Sequence, residues 1–163
     1  MIPAIRALFP AWLLLAACGI PAPDQGQAPG SAHPQPETET RCYLRVTKNP
    51  PVVVDADTFP GTPDSLYVRV DLVGELANGV YNWLPGEKDH ITGTFTGSVS
   101  DNVITALYTY HAEGMAGQQE VIFRMDPNGL RVATGEMTGN DSLQVFKDKS
   151  AVTYSDPVPA VPC

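Results

Sequence analysis

Basic side chains are scarce in this sequence: 10 Lys and Arg stand against 18 Asp and Glu, for a formal charge of −8. Such a surface repels nucleic acid and anionic lipid headgroups and favours cationic partners. No basic stripe interrupts the acidic balance, which excludes a nucleic-acid binder. Long apolar runs are missing too. The most apolar stretch, ALFPAWLLLAA from Ala7 to Ala17, covers about eleven residues and contains Pro10, where a membrane-spanning helix needs about 20. Catalytic signatures are absent: there is no G-x-S-x-G, no phosphate-binding glycine loop and no H-E-x-x-H. Carboxylates are too common in an acidic chain to nominate a catalytic pair. No enzymatic activity and no cofactor is therefore predicted.

The short apolar run has its own meaning. One positive charge, Arg6, precedes it, and small residues close it at Leu15-Ala16-Ala17-Cys18. A basic start, an apolar centre and small residues before a cut describe a secretory signal peptide over residues 1–17. The ending resembles the lipobox of bacterial lipoproteins. In that family the chain is cut before the cysteine, which then carries a diacylglyceryl thioether and an acylated amine. The resemblance implies that Cys18 becomes the lipidated N-terminus and anchors the protein to the bilayer. Two or more acyl chains hold stably where one is marginal, each buried methylene contributing about 0.8 kcal/mol. Gly19, rather than aspartate, follows the cysteine, so the resemblance points to the outer membrane. Loss of Arg6 with the signal leaves 9 basic against 18 acidic side chains, a net −9.

Only three cysteines are present, and an odd number leaves one thiol over in an exported chain. With Cys18 assigned to lipid, Cys42 and Cys163 remain. They bracket the region that is expected to fold, and an oxidising compartment permits a bridge between them. Two separate thiols, or a bridge to a second chain, are the alternatives. Between anchor and domain, residues 18–41 are rich in Pro, Gly, Gln and Ala, with hardly a large apolar side chain. Such a segment cannot bury enough surface to order itself and reads as a tether, roughly 25 Å long on average. His33 lies within it as a solvated linker residue.

The rest, 42–163, is long enough for one domain with a real core. Its apolar period is two. Leu66, Val68, Val70 and Leu72 alternate with Tyr67, Arg69 and Asp71, as a half-buried strand requires. Turn signals recur at Asn78-Gly79, Pro85-Gly86, Asp101-Asn102, Asp126-Pro127-Asn128-Gly129 and Gly139-Asn140-Asp141. About eight strands are predicted, near 42–47, 65–76, 80–84, 91–99, 103–112, 119–125, 130–137 and 142–148. Short connections leave no room for parallel crossovers. The expected fold is therefore all-β, an antiparallel up-and-down meander closed or nearly closed as a barrel of lipocalin or avidin type.

One hairpin fixes a register. With a two-residue turn at Asp101-Asn102, Val99 faces Ile104, Gly97 faces Ala106, Phe95 faces Tyr108, Gly93 faces Tyr110 and Ile91 faces Ala112. Every apolar partner then lies on one face. Ser98–Thr105, Thr94–Thr109 and Thr92–His111 occupy the other, and a slip of one residue would invert both sets. Thr92, Thr94 and Thr96 suit a solvated strand surface and are too few for an ice-binding face.

The same register places His90 opposite Glu113, and the next hairpin is expected to bring Glu120 near His111. Two imidazoles with carboxylates can bind zinc, but no compact metal-spacing motif accompanies them, so no metal site is assigned. The loop Glu87-Lys88-Asp89 shares an end with Glu113 and Gly114, which lets Lys88 pair with Glu113. Asp55-Ala56-Asp57 and Gly61 lack the spacing and the terminal glutamate of an EF-hand. The candidate binding rim is thus Glu87, Lys88, Asp89, His90, His111, Glu113 and Glu120.

The succession EKDHITGTFTG, NVITALYTYHAEG and QQEVIFRM, about 40 residues, resembles a group of small lipidated envelope proteins. The resemblance implies no activity. It supports Glu87, Lys88, Asp89, Glu113, Gly114 and Glu120 as a shared structural or binding feature, with a longer insertion at Asn49–Asp64. The functional expectation is a membrane-anchored, non-catalytic binding module whose partner is a basic protein or a cell-wall component. The alternative is a carrier for a small apolar ligand inside the barrel.

Overall fold

The computed structural model describes residues 37–86 and 88–163. The expected signal segment, Cys18, most of the expected tether and Glu87 lie outside the described residues. The described chain is almost wholly β. Its strands are β1 (Thr38–Lys48), β2 (Val52–Val54), β3 (Asp57–Phe59), β4 (Pro63–Val73), β5 (Leu76–Leu84), β6 (Ile91–Ser100) and β7 (Val103–Ala112). There follow β8 (Met115–Asp126), β9 (Gly129–Thr134), β10 (Met137–Asn140), β11 (Leu143–Phe146), a 3₁₀ turn at Lys149–Ala151, β12 (Thr153–Tyr154) and β13 (Ala160–Val161). Eleven strands form one sheet; β2 and β3 form a separate hairpin.

The β6–β7 register is as expected from Ser100–Val103 through Phe95–Tyr108 to Thr92–His111. Only the Ile91–Ala112 step falls beyond the ladder. Asp101 and Asn102 both adopt positive φ, 51° and 62°, which matches the twist of a tight hairpin. The preceding hairpin differs from expectation. Asn78-Gly79 is not a turn but lies inside β5; the chain reverses at Gly74-Glu75, with Val73 opposite Leu76. Gly74, at φ 60°, supplies the left-handed conformation there. Gly79 instead sits against the Phe95 ring and the Arg69 carbonyl, where a β-carbon would not fit.

Two further corrections concern the sheet as a whole. The expected strand near 130–137 is broken after Thr134, and β10–β11 folds back beside the first half of β8. β11 therefore runs parallel to β8, with Gln144 beside Gln119, so the sheet is mixed rather than purely antiparallel. The strand path runs β10-β11-β8-β7-β6-β5-β4-β1-β13, with β9 and β12 branching from β8, and it is not a continuous ring. Between β9 and β1 lies the segment Thr153–Cys163, which carries Pro157, Pro159 and Pro162. Proline has no N–H to donate, so a regular ladder cannot extend through it. Contacts on both sides are instead local. Val158 and Leu130 exchange backbone hydrogen bonds of 2.7 and 3.0 Å, and Leu44 N donates to Pro159 O at 3.0 Å. Cys42 pairs with Val161, and Tyr43 with Ala160.

The main core draws from β1, from β4 to β9 and from Val158. Val68, Val70, Ile104, Phe123, Leu130 and Val158 are fully buried in one cluster. Aromatic rings occupy its middle: Tyr81 and Tyr108 have centroids 5.0 Å apart, Phe95 and Phe123 5.1 Å, and Tyr81 and Phe123 5.4 Å. Each such pair contributes about 0.5–1.5 kcal/mol beyond the area it buries. The Tyr108 hydroxyl donates to the Tyr81 carbonyl at 2.7 Å, and burial raises its pKa. A smaller cluster of Ile122, Ala133 and Phe146 packs on the opposite face of β8.

The expected Cys42–Cys163 disulfide is present and links residues 121 apart in sequence, with Cα atoms 5.3 Å apart. It fastens β1 to the proline-bearing segment. Replacing both cysteines by serine is expected to lower unfolding stability by about 2–5 kcal/mol, because so long a loop is no longer closed in the unfolded chain. Urea denaturation of the double variant beside the oxidised protein measures this.

Candidate functional site

Topology sorts the loops into two ends. β1 starts at Thr38 beside Val73, at the end that carries the Gly74-Glu75 and Asp101-Asn102 turns. It finishes at Lys48 beside Pro63, at the end that carries the loop after β5 and the Glu113-Gly114 turn. Lys88, Asp89, His90, His111 and Glu113 therefore share the second end, as expected. Glu87 precedes them in the same loop but lies outside the described residues.

The side-chain partners differ from expectation. Glu113 and Gly114 form the β7–β8 turn with φ of 52° and 76°. The Glu113 carboxyl has its pKa raised, first by a hydrogen bond with Asp89 and then by the negative charge of Asp89. Lys88 forms no ion pair with Glu113 among the described residues. His90 precedes β6 and has no ladder partner, so it does not stand opposite Glu113. His111 faces Thr92 on one side and Ala116 on the other, with its side chain in solvent.

Glu120 leaves the group. The two-residue turn at Glu113-Gly114 sets Ala112 against Met115, so Glu120 pairs with Leu107. That is four residues, about 13 Å along the strand, from His111. Here the carboxylate is largely shielded, its side chain 13% exposed. It accepts 2.6 Å from Lys149 Nζ and 3.2 Å from the backbone N of Phe146. Its work is structural: it fastens β11 and the 3₁₀ turn onto the outer face of β8. The four-residue convergence of His90, His111, Glu113 and Glu120 is thus not formed, and no three His, Cys, Asp or Glu side chains gather among the described residues.

Surface features that alternation alone did not reveal lie elsewhere. Val52, Val53, Val54 and Phe59, on the β2–β3 hairpin, are all exposed. The Pro-Pro-Val-Val-Val run was the available signal, but its turn at Asp55-Ala56 carries none of the usual glycine marks; both residues adopt positive φ. An apolar groove of about 510 Å³ crosses the outer face between Leu76, Leu107, Leu143 and Val145. A smaller cleft, about 270 Å³, opens where β9 parts from β8, beside Tyr81, Gln119 and Phe146. No family, curated protein or solved structure matches the chain.

Glu120→Ala is expected to cost about 1–3 kcal/mol, because the Phe146 N–H loses its acceptor in a largely buried setting. Denaturation of the variant and faster hydrogen exchange at Phe146 check this. Asp89→Asn is expected to bring the Glu113 pKa down toward the ordinary carboxylate range, followed by NMR titration of the Glu113 side-chain carboxyl. The sign follows from the raised folded-state value. Repulsion between the two carboxylates weakens the fold as pH rises through the Glu113 pKa, and protonation relieves it.

Proposed function

We propose that this protein is a lipid-anchored envelope protein acting as a non-catalytic binding module, tethered to the outer membrane through Cys18 and facing the periplasm. One observation carries the choice of module over carrier: the interior is occupied by its own side chains. Tyr81, Phe95, Tyr108 and Phe123 pack in tilted and edge-to-face contacts where a lipocalin-type ligand would sit. Recognition then belongs to the surface.

The same proposal treats the sheet as a barrel in effect, with Thr153–Cys163 filling the gap between β9 and β1. Support comes from the burial of Val158 and from the hydrogen bonds on both flanks of that segment. The chain joins the domain at Thr38, at the end opposite Lys88, Asp89, His90, His111 and Glu113. Those side chains, at the opposite end of the domain from Thr38, are the surface the proposal offers to a partner. The acidic balance makes a basic protein or a cell-wall component the partner class to test first.

Mass spectrometry of the protein extracted from its own envelope tests both parts. The proposal expects a chain beginning at Cys18 with the added mass of a diacylglyceryl group and a third acyl chain. Under native conditions it expects no retained small molecule. An unmodified first residue overturns the anchor, and a co-purifying apolar compound favours the carrier.

A further inference from the structure

The two sulfurs of the Cys42–Cys163 bridge stand in unequal surroundings. Cys42 is 2% exposed, held in the middle of β1. Cys163 is exposed, beyond the two-residue strand β13. A groove of about 360 Å³ runs alongside, walled by Thr40–Tyr43 on one side and Ala160–Cys163 on the other. The Tyr67 hydroxyl lies 3.4 Å from Cys42 Sγ, and because a bridged sulfur carries no proton, the tyrosine is the donor.

We propose that this bridge is a directional thiol–disulfide exchange site for a dithiol reductant of the thioredoxin type. An incoming thiolate reaches Cys163 Sγ from the groove and forms a mixed disulfide with it. The Cys42–Cys163 bond breaks, and Cys42 Sγ takes the electron pair as a thiolate. Tyr67 donates its hydrogen bond to that sulfur as charge develops, which offsets the cost of forming a thiolate at the buried Cys42. The second thiol of the reductant then attacks its own bridged sulfur and releases Cys163 as a thiol. Two electrons have passed to the protein, and the reductant leaves as a disulfide. Attack in the reverse sense is blocked, because Cys42 is covered. Once open, Ala160–Cys163 is held by two ladder pairs alone, Cys42–Val161 and Tyr43–Ala160. Tyr67 acts here as a positioning residue.

The experiment uses the full folded chain and a thioredoxin whose second active-site cysteine is replaced by serine, so that the mixed disulfide persists. Peptide mapping is expected to find the adduct on Cys163, at least about tenfold over Cys42, given the dependence of exchange on access. Tyr67→Phe is expected to slow adduct formation roughly three- to tenfold while leaving the adduct on Cys163. In urea the preference for Cys163 is expected to vanish, because the shielding of Cys42 comes from the fold. An adduct chiefly on Cys42, or a folded protein that forms none while the unfolded chain reacts, overturns the site. A folded Tyr67→Phe variant reacting at the original rate overturns the role of Tyr67. None of these outcomes depends on whether Cys18 is acylated, so the envelope assignment stands or falls separately.

Discussion

Without the stretch from Val158 to Val161, the edges of β9 and β1 would each present unpaired peptide groups beside an aromatic interior. Such edges are costly in two ways, since buried N–H and C=O groups need partners and open strands invite foreign ones. Val158 answers both. Its side chain is fully buried, and its backbone exchanges hydrogen bonds with Leu130. Its neighbours secure the position: Arg131 donates to Ser155 O at 2.9 Å, and Ser155 Oγ accepts from Val132 N at 3.1 Å. Arg131 is itself fixed by Asp126 at 2.7 Å, which holds the Asp126 carboxyl below its usual range. Arg124 lies 4.1 Å above the Tyr154 ring and adds a cation–π contact on the outer face.

From this seam follows the division of labour in the molecule. Val158 joins β9 and Ala160–Val161 join β1, and the aromatic rings of Tyr81, Phe95, Tyr108 and Phe123 pack against one another beneath them. The exposed side chains and grooves lie on the turns, the β2–β3 hairpin and the outer face. Glu120 illustrates how residue type misleads when position is unknown. A carboxylate among histidines in sequence suggests a site, whereas a carboxylate facing Phe146 N and Lys149 is a fastener.

How much of this was legible in the sequence depended on which constraint governed each stretch. The β6–β7 hairpin was legible from its turn to Thr92–His111, because alternation, a two-residue Asp-Asn turn and matched glycines all specified one register. The β4–β5 turn was misplaced because Asn78-Gly79, the stronger turn pair, is used for packing: Gly79 makes room for the Phe95 ring. The open path of the sheet rests on Pro157 and Pro159, whose effect depends on lying between two strands distant in sequence. Lys88, Asp89, His90, His111 and Glu113 were assigned to the correct end, since strand direction alone decides that. Glu120 was not, because the Glu113-Gly114 turn sets the β7–β8 register and no alternation pattern specified it.

The short hairpins from β4 to β8 join neighbours in sequence, while the seam joins Tyr43 to Ala160. Local pairs close with little loss of chain entropy, and distant ones wait on them. The meander is thus able to assemble while its two margins still stand apart, and the proline-bearing stretch docks afterwards. During that interval the margins are open templates, and the matching stretch of a second molecule fits them equally well. Exchange of this final segment between neighbours is therefore the natural misassembly of the fold, favoured by crowding and opposed by the covalent link that ties each molecule to its own closing strand.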